Sequence, residues 1–355
     1  IFSDKTERDG EFELGKRIQN VDPNGAAMNI LTDECDVTRT EIMKNEQSNQ
    51  CKHITHSTQI YNQLIYKEKG LDLDKFFKNN RGKYCLFDKN VEKYITNLLK
   101  GVDLLQDHNL AHMDIKPENI LVSDKNKLLL IDFGLTRELR DIYDIKKSDF
   151  LLKYSYHIYP PEFKVFMILN RIKRAKLDIK LDSYYDKLHK LIMKVYTNKY
   201  QGFTGYDHVL YKLSTIQVSK HTLKQEFSEF VTQLLDQMKE KNMTHKSCPC
   251  ALFRRVFAKK ADVFSVGLVL LYFYYHSKPS ECNDSVHKYV RFVDLIKKTW
   301  CMNPYERYTI KDVIKEYTNL LAGDNQEKKK ELIIESPLRN KAIMDKCMKH
   351  NKREL

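Results

Sequence analysis

A long amphipathic helix that runs directly into a polar loop and a short hairpin limits the fold of this chain more than any other feature. Between Asp88 and His108 apolar side chains recur at helical spacing, and Asp88 is suited to cap the first turn. The loop HMDIKPEN follows, and then ILV, the turn SDKN and LLLI form a hairpin that ends in DFG. This order brings together the side chains of Asp114, Lys116, Asn119 and Asp132.

The segment from His112 to Asn119, followed by Asp132, Phe133 and Gly134, resembles the catalytic loop and the metal-binding motif of eukaryotic-type protein kinases. The resemblance implies a bilobal α+β fold, with a small β-rich N-lobe and a larger helical C-lobe. It also implies ATP and Mg²⁺ as cofactors and a protein as substrate. Phosphoryl transfer depends on positioning and charge neutralisation more than on covalent chemistry, and these residue types suit that task.

The resemblance assigns a role to each polar side chain of the loop. Asp114 would orient the substrate hydroxyl, and Lys116 would neutralise charge on the phosphoryl group, so that Asp114, Lys116 and Asn119 are the expected catalytic residues. Asn119 and Asp132 offer the oxygen ligands that Mg²⁺ prefers. A lysine two positions after the catalytic aspartate is similar to the serine/threonine-directed branch of the family. A polar loop that merely precedes a hairpin is the structural alternative.

Further kinase-like motifs lie downstream. The segment from Ser155 to Glu162 resembles the end of an activation segment, with Ser155 facing the substrate and Glu162 in the APE motif. Asp262 and the apolar run after it resemble the buried helix whose aspartate binds the backbone of the catalytic loop, near His112. Arg307 matches the arginine that pairs with the APE glutamate. The resemblance therefore predicts a buried ion pair between Glu162 and Arg307.

The motifs upstream of the catalytic loop match the family less well. LIYKEKGLDLDKFF is similar to the last N-lobe strand, the hinge and the first C-lobe helix. It makes Tyr66 the gatekeeper and gives the hinge Lys67, Glu68 and Lys69, which together with Lys116 and Asp132 would contact the nucleotide. No GxGxxG precedes residue 60. Gly15 is expected to begin the first strand, and Gly25 is expected in a hairpin turn.

The lysine that binds ATP in the family has no clear equivalent. AAMNIL resembles the strand that carries it, with Asn29 in the place of the lysine, so Asn29 is counted among the nucleotide-binding residues. Glu46 is the first choice for the helix-C glutamate and Glu41 the second. An asparagine cannot form the ion pair of the family, and Lys16 or Lys44 are the lysines that could supply the charge instead.

Two departures bear on regulation. Met113 stands where the family has the arginine that helps to order a phosphorylated activation loop, so we expect activity that does not depend on such phosphorylation. Between Glu162 and Asp262 lie 99 residues, and residues 164–260 hold 20 basic and 8 acidic side chains. This insert, about residues 164–258, is interpreted either as a docking face for an acidic protein, nucleic acid or anionic membrane, or as a solvated lysine-rich surface.

The motifs divide the chain into an N-lobe (1–66), a hinge (67–69), a C-lobe (70–322) and a charged extension (323–355). The most apolar stretch, residues 263–275, spans 13 positions, too few to cross a bilayer. The 8 cysteines are scattered, so a disulfide framework is not expected. We expect a reducing compartment instead, namely the cytoplasm, the nucleus or a virion. The richness in lysine and tyrosine is similar to kinases of large DNA viruses or AT-rich protists. The sequence does not indicate an oligomeric state.

Three functions remain open from the sequence. An active protein serine/threonine kinase is favoured because all four polar residues of the C-lobe are present together. A pseudokinase, in which the basic insert is a binding module, is the alternative, because the glycine-rich loop and the expected lysine are missing. A nucleic-acid-binding protein built on a kinase scaffold is the third, and it predicts an affinity that falls steeply with salt.

Overall fold

The computed structural model describes residues 5–44, 60–144, 159–174, 184–198, 212–243, 250–277 and 286–322. The first elements are α1 (Lys5–Val21), β1 (Leu31–Thr38), α2 (Arg39–Met43), β2 (Ile60–Tyr66), β3 (Gly70–Asp72), α3 (Leu73–Asn80), α4 (Lys89–Asp107), β4 (Leu110–Ala111), a 3-10 turn (Pro117–Asn119), β5 (Ile120–Ser123), β6 (Leu128–Leu130) and β7 (Arg137–Glu138). They are followed by α5 (Pro161–Arg174), α6 (Tyr184–Asn198), α7 (Lys220–Glu240), α8 (Cys250–Phe257), a 3-10 turn (Ala258–Lys260), α9 (Ala261–His276), α10 (Val286–Thr299) and α11 (Ile310–Ala322). Strands near the N-terminus and a mostly helical remainder give the bilobal α+β architecture that the sequence resemblance implies.

The N-terminal lobe combines helix α1 with an antiparallel pair of strands. β1 and β2 pair from Leu31 opposite Tyr66 to Thr38 opposite Ile60, with a shift of register between Leu31 and Asp33. The prediction that Gly15 begins a strand is wrong, because Gly15 lies inside α1. Apolar side chains at Leu14, Ile18 and Val21 recur at helical spacing and join the core, which favours the helix.

A second small sheet, with strand order β3-β5-β6, lies at the start of the larger lobe. Its first strand begins at Gly70, immediately after the hinge. A Cβ atom on Gly70 would lie 2.1 Å from the carbonyl oxygen of Val122, so only glycine allows β3 to approach β5 this closely. β5 and β6 form the predicted hairpin, with Ile120 opposite Leu130. The hairpin leads the chain to Asp132.

Helices α4 and α9 form the centre of the larger lobe. α4 begins as predicted, with the carboxylate of Asp88 accepting a hydrogen bond of 2.8 Å from the backbone N–H of Asn90. In α9, every residue from Ala261 to Leu271 is buried. A helix that is apolar on all sides belongs inside a domain, and α9 carries Asp262 into that interior.

The insert is part of this core. Five of its aromatic side chains in the described ranges are completely buried: Tyr196, Phe227, Phe230, Phe253 and Phe257. Helix α7 also bonds to the loop before α11, because the carboxylate of Glu226 accepts a 2.9 Å hydrogen bond from the backbone N–H of Met302. The described helices of the insert therefore contribute to the core of the larger lobe, and their solvent-facing lysines offer a basic surface.

The cysteines correct one expectation. Cys85 and Cys250 each take part in a disulfide bond, whereas the sequence predicted no disulfide framework. Spacing rules detect dense and regular cysteine patterns, and they give no signal for scattered cysteines such as these. Cys35 and Cys301 are free thiols. No helix in the described ranges is long and apolar enough to serve as a membrane span.

Candidate active site

Helix α9 anchors the loop from His112 to Asn119 through hydrogen bonds. The carboxylate of Asp262 accepts hydrogen bonds from the backbone N–H groups of His112, at 2.7 Å, and Met113, at 2.9 Å. This is the contact that the sequence predicts for Asp262. Met113 has a left-handed backbone, with φ of 68°, and its side chain is buried. The two bonds from Asp262 support a conformation that a non-glycine residue rarely adopts.

His112 links this anchor to the segment that carries Asp132. Its Nδ1 accepts a hydrogen bond from the backbone N–H of Asp114 at 3.3 Å, and its Nε2 lies 3.0 Å from the carbonyl oxygen of Ile131. Burial, as the largest cause, lowers the pKa of His112, so the ring is neutral and Nε2 donates to Ile131. The ring also packs against Phe133, which is buried, at 5.0 Å between centroids.

The side chains of Asp114, Lys116 and Asn119 converge, as the sequence predicts. Lys116 Nζ and Asn119 Nδ2 lie 2.9 and 2.6 Å from the same carboxylate oxygen, Oδ2 of Asp114. Asn119 Nδ2 also donates to the backbone carbonyl of Asp114 at 3.0 Å. The other oxygen, Oδ1, is buried and has no hydrogen-bond partner among the described residues. Buried carboxylate oxygens are ordinarily satisfied, so this orphaned atom indicates a missing donor.

Asp132 and Asp114 both lie within electrostatic reach of His112, because the negative charge of each acts to raise the pKa of that ring against the larger effect of burial. The backbone of Asp132 is left-handed, with φ of 59°, and its side chain is exposed. Glu11, on helix α1, is its close neighbour: burial first, and then the negative charge of Asp132, raise the pKa of Glu11. A Cβ atom on Gly134 would lie 2.9 Å from Oε1 of Glu11, so the glycine after Phe133 allows this approach.

Tyr66 belongs to this cluster as well. Burial raises the pKa of the Tyr66 hydroxyl, and the negative charges of Glu11 and Asp132 raise it further. The expected gatekeeper therefore lies beside the acidic pair, at the end of β2. Within the described ranges, no lysine or arginine forms an ion pair with Glu11. Two neighbouring carboxylates without a cation make a site that favours positive charge.

Glu11 was missed by the sequence analysis, which gave the helix-C position to Glu46 and then to Glu41. Glu46 lies outside the described residues. Glu41 is occupied elsewhere, because its carboxylate and Thr38 form a capping box at the start of α2. The helical spacing of Leu14, Ile18 and Val21 was the signal that could have found Glu11.

Asn29 lies against the hinge rather than on a strand that faces the helix glutamate. Its side-chain Nδ2 donates to the carbonyl of Glu68 at 2.9 Å, and its Oδ1 accepts from the N–H of Glu68 at 3.0 Å. The segment AAMNIL is not the predicted strand; it forms only an isolated bridge at Met28, and β1 begins at Leu31. Gly25, with φ of 61°, ends the turn after α1 and is not in a hairpin.

The lysines proposed as substitutes are not near the acidic pair. Lys16 extends over the ring of Phe12, with Nζ 5.1 Å from its centroid. Lys44 caps the C-terminus of the short helix α2. Neither contributes to the pKa of Glu11. The described residues therefore contain the helix carboxylate but not the lysine that the resemblance pairs with it.

The predicted ion pair between Glu162 and Arg307 is present, and both side chains are fully buried. The two contacts are 2.6 Å, from Nη1 to Oε1, and 3.1 Å, from Nη2 to Oε2. The remaining guanidinium donors bind the backbone carbonyls of Cys301 and Lys260. The pair joins the start of α5 to the loop before α11. Ser155 lies outside the described residues.

Comparisons with known proteins agree with this geometry. Residues 28–163 match the family model of the protein kinase domain. The chain is 46% identical to cyclin-dependent kinase-like 2 of Oryctolagus cuniculus over 54 residues, 15% of this chain and 10% of that protein. It is 29% identical to MAP kinase-activated protein kinase 2 of Mus musculus over 124 residues, 32% of each. The aligned parts thus span about a tenth and about a third of these two relatives.

Proposed function

We propose that this chain is a eukaryotic-type protein kinase that transfers the γ-phosphoryl group of Mg-ATP to serine and threonine hydroxyls of a protein substrate. The observation that carries this proposal is the pairing of Asp114 with Lys116 and Asn119 through one carboxylate oxygen, while the other oxygen has no hydrogen-bond partner among the described residues. A hydroxyl donor would satisfy Oδ1, and that is the group a kinase substrate presents. Lys116, 2.9 Å from Asp114, stays within reach of the phosphoryl group.

The hinge supports nucleotide binding because two of its backbone groups are not used by hydrogen bonds among the described residues. The N–H of Lys67 donates to Ile30, both backbone groups of Glu68 are bound by Asn29, and the carbonyl of Lys69 accepts from Asp124. Among the described hinge residues, this leaves the carbonyl of Lys67 and the N–H of Lys69 without a hydrogen bond. One acceptor and one donor match the edge of adenine, which offers an amino group beside a ring nitrogen.

The donor set fits magnesium. Asn119 uses its Nδ2 on Asp114, so its Oδ1 stays available, and the exposed carboxylate of Asp132 is the second oxygen donor. Hard oxygen ligands of this kind suit Mg²⁺, and the ion would neutralise charge on the nucleotide phosphates when bound. Asn119 thereby ties the position of the metal ligands to the orientation of Asp114.

Glu11 takes the role of the helix-C glutamate in this proposal. Its raised pKa and its position beside Asp132 support a partner that carries positive charge. In the family that partner is the lysine that holds the nucleotide phosphates. The proposal therefore does not use Asn29, which is bound to Glu68, at the lysine position, and it does not use Glu46 as the helix-C glutamate.

Serine/threonine specificity rests on Lys116, because a lysine two positions after Asp114 resembles the serine/threonine-directed branch of the family. Independence from activation-loop phosphorylation rests on Met113, whose side chain is uncharged and buried. We expect treatment with a protein phosphatase to leave the rate of peptide phosphorylation within about twofold of the untreated enzyme. A larger loss, reversed by autophosphorylation with ATP, would show that another basic group orders the activation segment.

A pseudokinase is the second candidate, and the absence of a cationic partner for Glu11 among the described residues favours it. Thermal unfolding with ATP, with and without Mg²⁺, separates the two candidates, because a bound nucleotide stabilises the folded protein. An active kinase predicts a clear rise in melting temperature with Mg-ATP and phosphate transfer to a serine peptide. A rise without transfer supports the pseudokinase, and no rise contradicts nucleotide binding.

The basic insert remains a proposed docking face for an acidic partner. Its buried aromatic residues exclude a test by deletion, because removal of the insert would expose the core. Replacement of solvent-facing lysines on α7, such as Lys224 and Lys239, by glutamine tests it instead. We expect weaker binding to polyanionic probes at low salt and unchanged turnover on a short peptide.

A further inference from the structure

The side-chain amide of Asn29 forms hydrogen bonds with both backbone groups of one hinge residue. Nδ2 donates to the carbonyl of Glu68 at 2.9 Å, and Oδ1 accepts from its N–H at 3.0 Å. Asn29 is 6% exposed and Glu68 is 8% exposed, so water does not compete easily for these bonds. Only an uncharged carboxamide offers a donor and an acceptor side by side at this reach. We call this contact the hinge latch.

The segment that carries Asn29 is itself fixed on two other sides. The carboxylate of Asp22, at the end of α1, accepts hydrogen bonds of 3.0 to 2.8 Å from three consecutive N–H groups, those of residues 26–28. The N–H of Asn29 donates to the carbonyl of Leu130 at 2.9 Å, and the N–H of Leu130 donates to Ala27 at the same distance. The segment thus joins helix α1, the hinge and strand β6.

These three elements carry the proposed active-site groups. Helix α1 bears Glu11, the hinge bears the two unpaired backbone groups, and β6 ends two residues before Asp132. The carboxylate of Glu68 also forms an ion pair with Lys125, with 3.0 Å between Oε1 and Nζ. The lysine side chain is 64% exposed, so this ion pair contributes less than the buried latch.

We infer that Asn29 is a positioning residue for the nucleotide base: the hinge latch holds Glu68 so that the carbonyl of Lys67 and the N–H of Lys69 keep one fixed spacing. The inference rests on the proposed function. Without the latch, the peptide groups of Glu68 would be free to rotate, and the neighbouring groups would lose the donor and acceptor pattern that distinguishes adenine from guanine.

The test replaces Asn29 and measures steady-state kinetics with ATP and with GTP. Asn29→Ala removes both hydrogen bonds, and Asn29→Asp keeps the size and the acceptor but sets a negative charge against the carbonyl of Glu68. For both variants we expect the KM for ATP to rise about tenfold, because Asn29→Ala loses two buried hydrogen bonds and Asn29→Asp replaces one of them by repulsion between its carboxylate and the carbonyl oxygen of Glu68. We also expect kcat at saturating ATP within about twofold, and a smaller preference for ATP over GTP.

Lys125→Met is the matched control. It removes the exposed ion pair to Glu68 and leaves the latch intact, so the KM for ATP should change less than about twofold. An equal effect of Lys125→Met and Asn29→Ala, or an unchanged nucleotide preference in both Asn29 variants, would overturn the inference. A fall in kcat at unchanged KM would do so as well, since it would assign Asn29 to the chemical step or to stability.

A measurement on the unaltered protein covers the case in which the Asn29 variants do not fold. Without nucleotide, the backbone amide of Glu68 should exchange its hydrogen at least about tenfold more slowly than that of Lys69, because only the former is bound. Equal exchange rates would contradict the latch. Failure of the unaltered protein to bind ATP would refute the proposed function, whereas the exchange rates would still decide whether the latch exists.

Discussion

Glu162→Gln is expected to destabilise the fold strongly, because it leaves the charge of Arg307 buried without a partner. Both side chains are 0% exposed, and the two contacts of 2.6 and 3.1 Å are bidentate. The loss of one member of such a pair costs about 3–5 kcal/mol. For a chain of this size that corresponds to a fall in melting temperature of roughly 10 °C.

Urea unfolding followed by tryptophan fluorescence measures this cost, since Trp300 is buried near the loop that holds Arg307. Glu306→Gln is the matched control. The same substitution there removes only a 3.9 Å contact with Lys298, in which both side chains are about half exposed. We expect a change below about 0.5 kcal/mol for the control.

A double-variant cycle with Arg307→Gln isolates the interaction. The double variant should be at least about 1 kcal/mol more stable than the sum of the two single losses predicts, because it no longer buries a lone charge. A loss below about 1 kcal/mol for Glu162→Gln, or strictly additive losses, would refute the view that this pair joins the activation segment to the loop before α11.

The remaining predictions concern metal binding, the insert and a buried lysine. Asp132→Asn should reduce phosphate transfer to below about 1% of the original rate while thermal unfolding without nucleotide stays unchanged, and a rate above a few per cent would contradict its role as a metal ligand. Phe230→Ala should cost about 3–5 kcal/mol in urea unfolding, because the ring is completely buried against Phe257 and Tyr305; a loss below about 1 kcal/mol would show that the insert does not share the core. Burial lowers the pKa of Lys164 to about 8 in the folded protein, so the unfolded chain binds more protons above that pH. The unfolding free energy of the protein, relative to Lys164→Met, should therefore rise from about pH 8 towards pH 10. A flat difference over that window would contradict the burial of the ammonium group.

The larger lobe could be predicted from the sequence because its signals are local and mutually consistent. The helical spacing after Asp88 gave the correct position of α4, and the hairpin after the catalytic loop gave β5 and β6. The contact of Asp262 with His112 followed from the resemblance, since a carboxylate inside an apolar helix needs donors, and a turn of backbone N–H groups supplies them. The pairing of Glu162 with Arg307 followed for the same reason.

The smaller lobe could not be predicted, because one wrong alignment displaced every role in it. AAMNIL has the composition of a strand. Its backbone N–H groups donate instead to the carboxylate of Asp22 and to the carbonyl of Leu130, so it becomes a connecting segment. This left Asn29 at the hinge and hid Glu11, whose helix was read as a strand that begins at Gly15. Hydrogen bonds between residues distant in sequence decided the outcome, and no local propensity reports them.

The insert shows the same limit on a larger scale. Charge counting correctly located the basic excess, but a count does not distinguish a solvent-facing lysine from one such as Lys164, which is buried over the ring of Tyr196. The sequence shows the helical periodicity of the insert, but it does not show what the apolar face of each helix packs against. Only the structure shows that these faces complete the core around Arg307 rather than await a partner.

The comparison of Asp114→Asn with the unaltered protein, at saturating Mg-ATP and with a serine peptide, tests the central claim most directly. Asparagine keeps the size of the side chain and removes the carboxylate that we propose orients the substrate hydroxyl. We predict magnesium-dependent phosphorylation of serine by the unaltered protein, and a rate about a hundredfold or more lower for the variant, with the affinity for Mg-ATP within about threefold. Equal rates for the two proteins, or no transfer by an unaltered protein that is saturated with Mg-ATP, would contradict it.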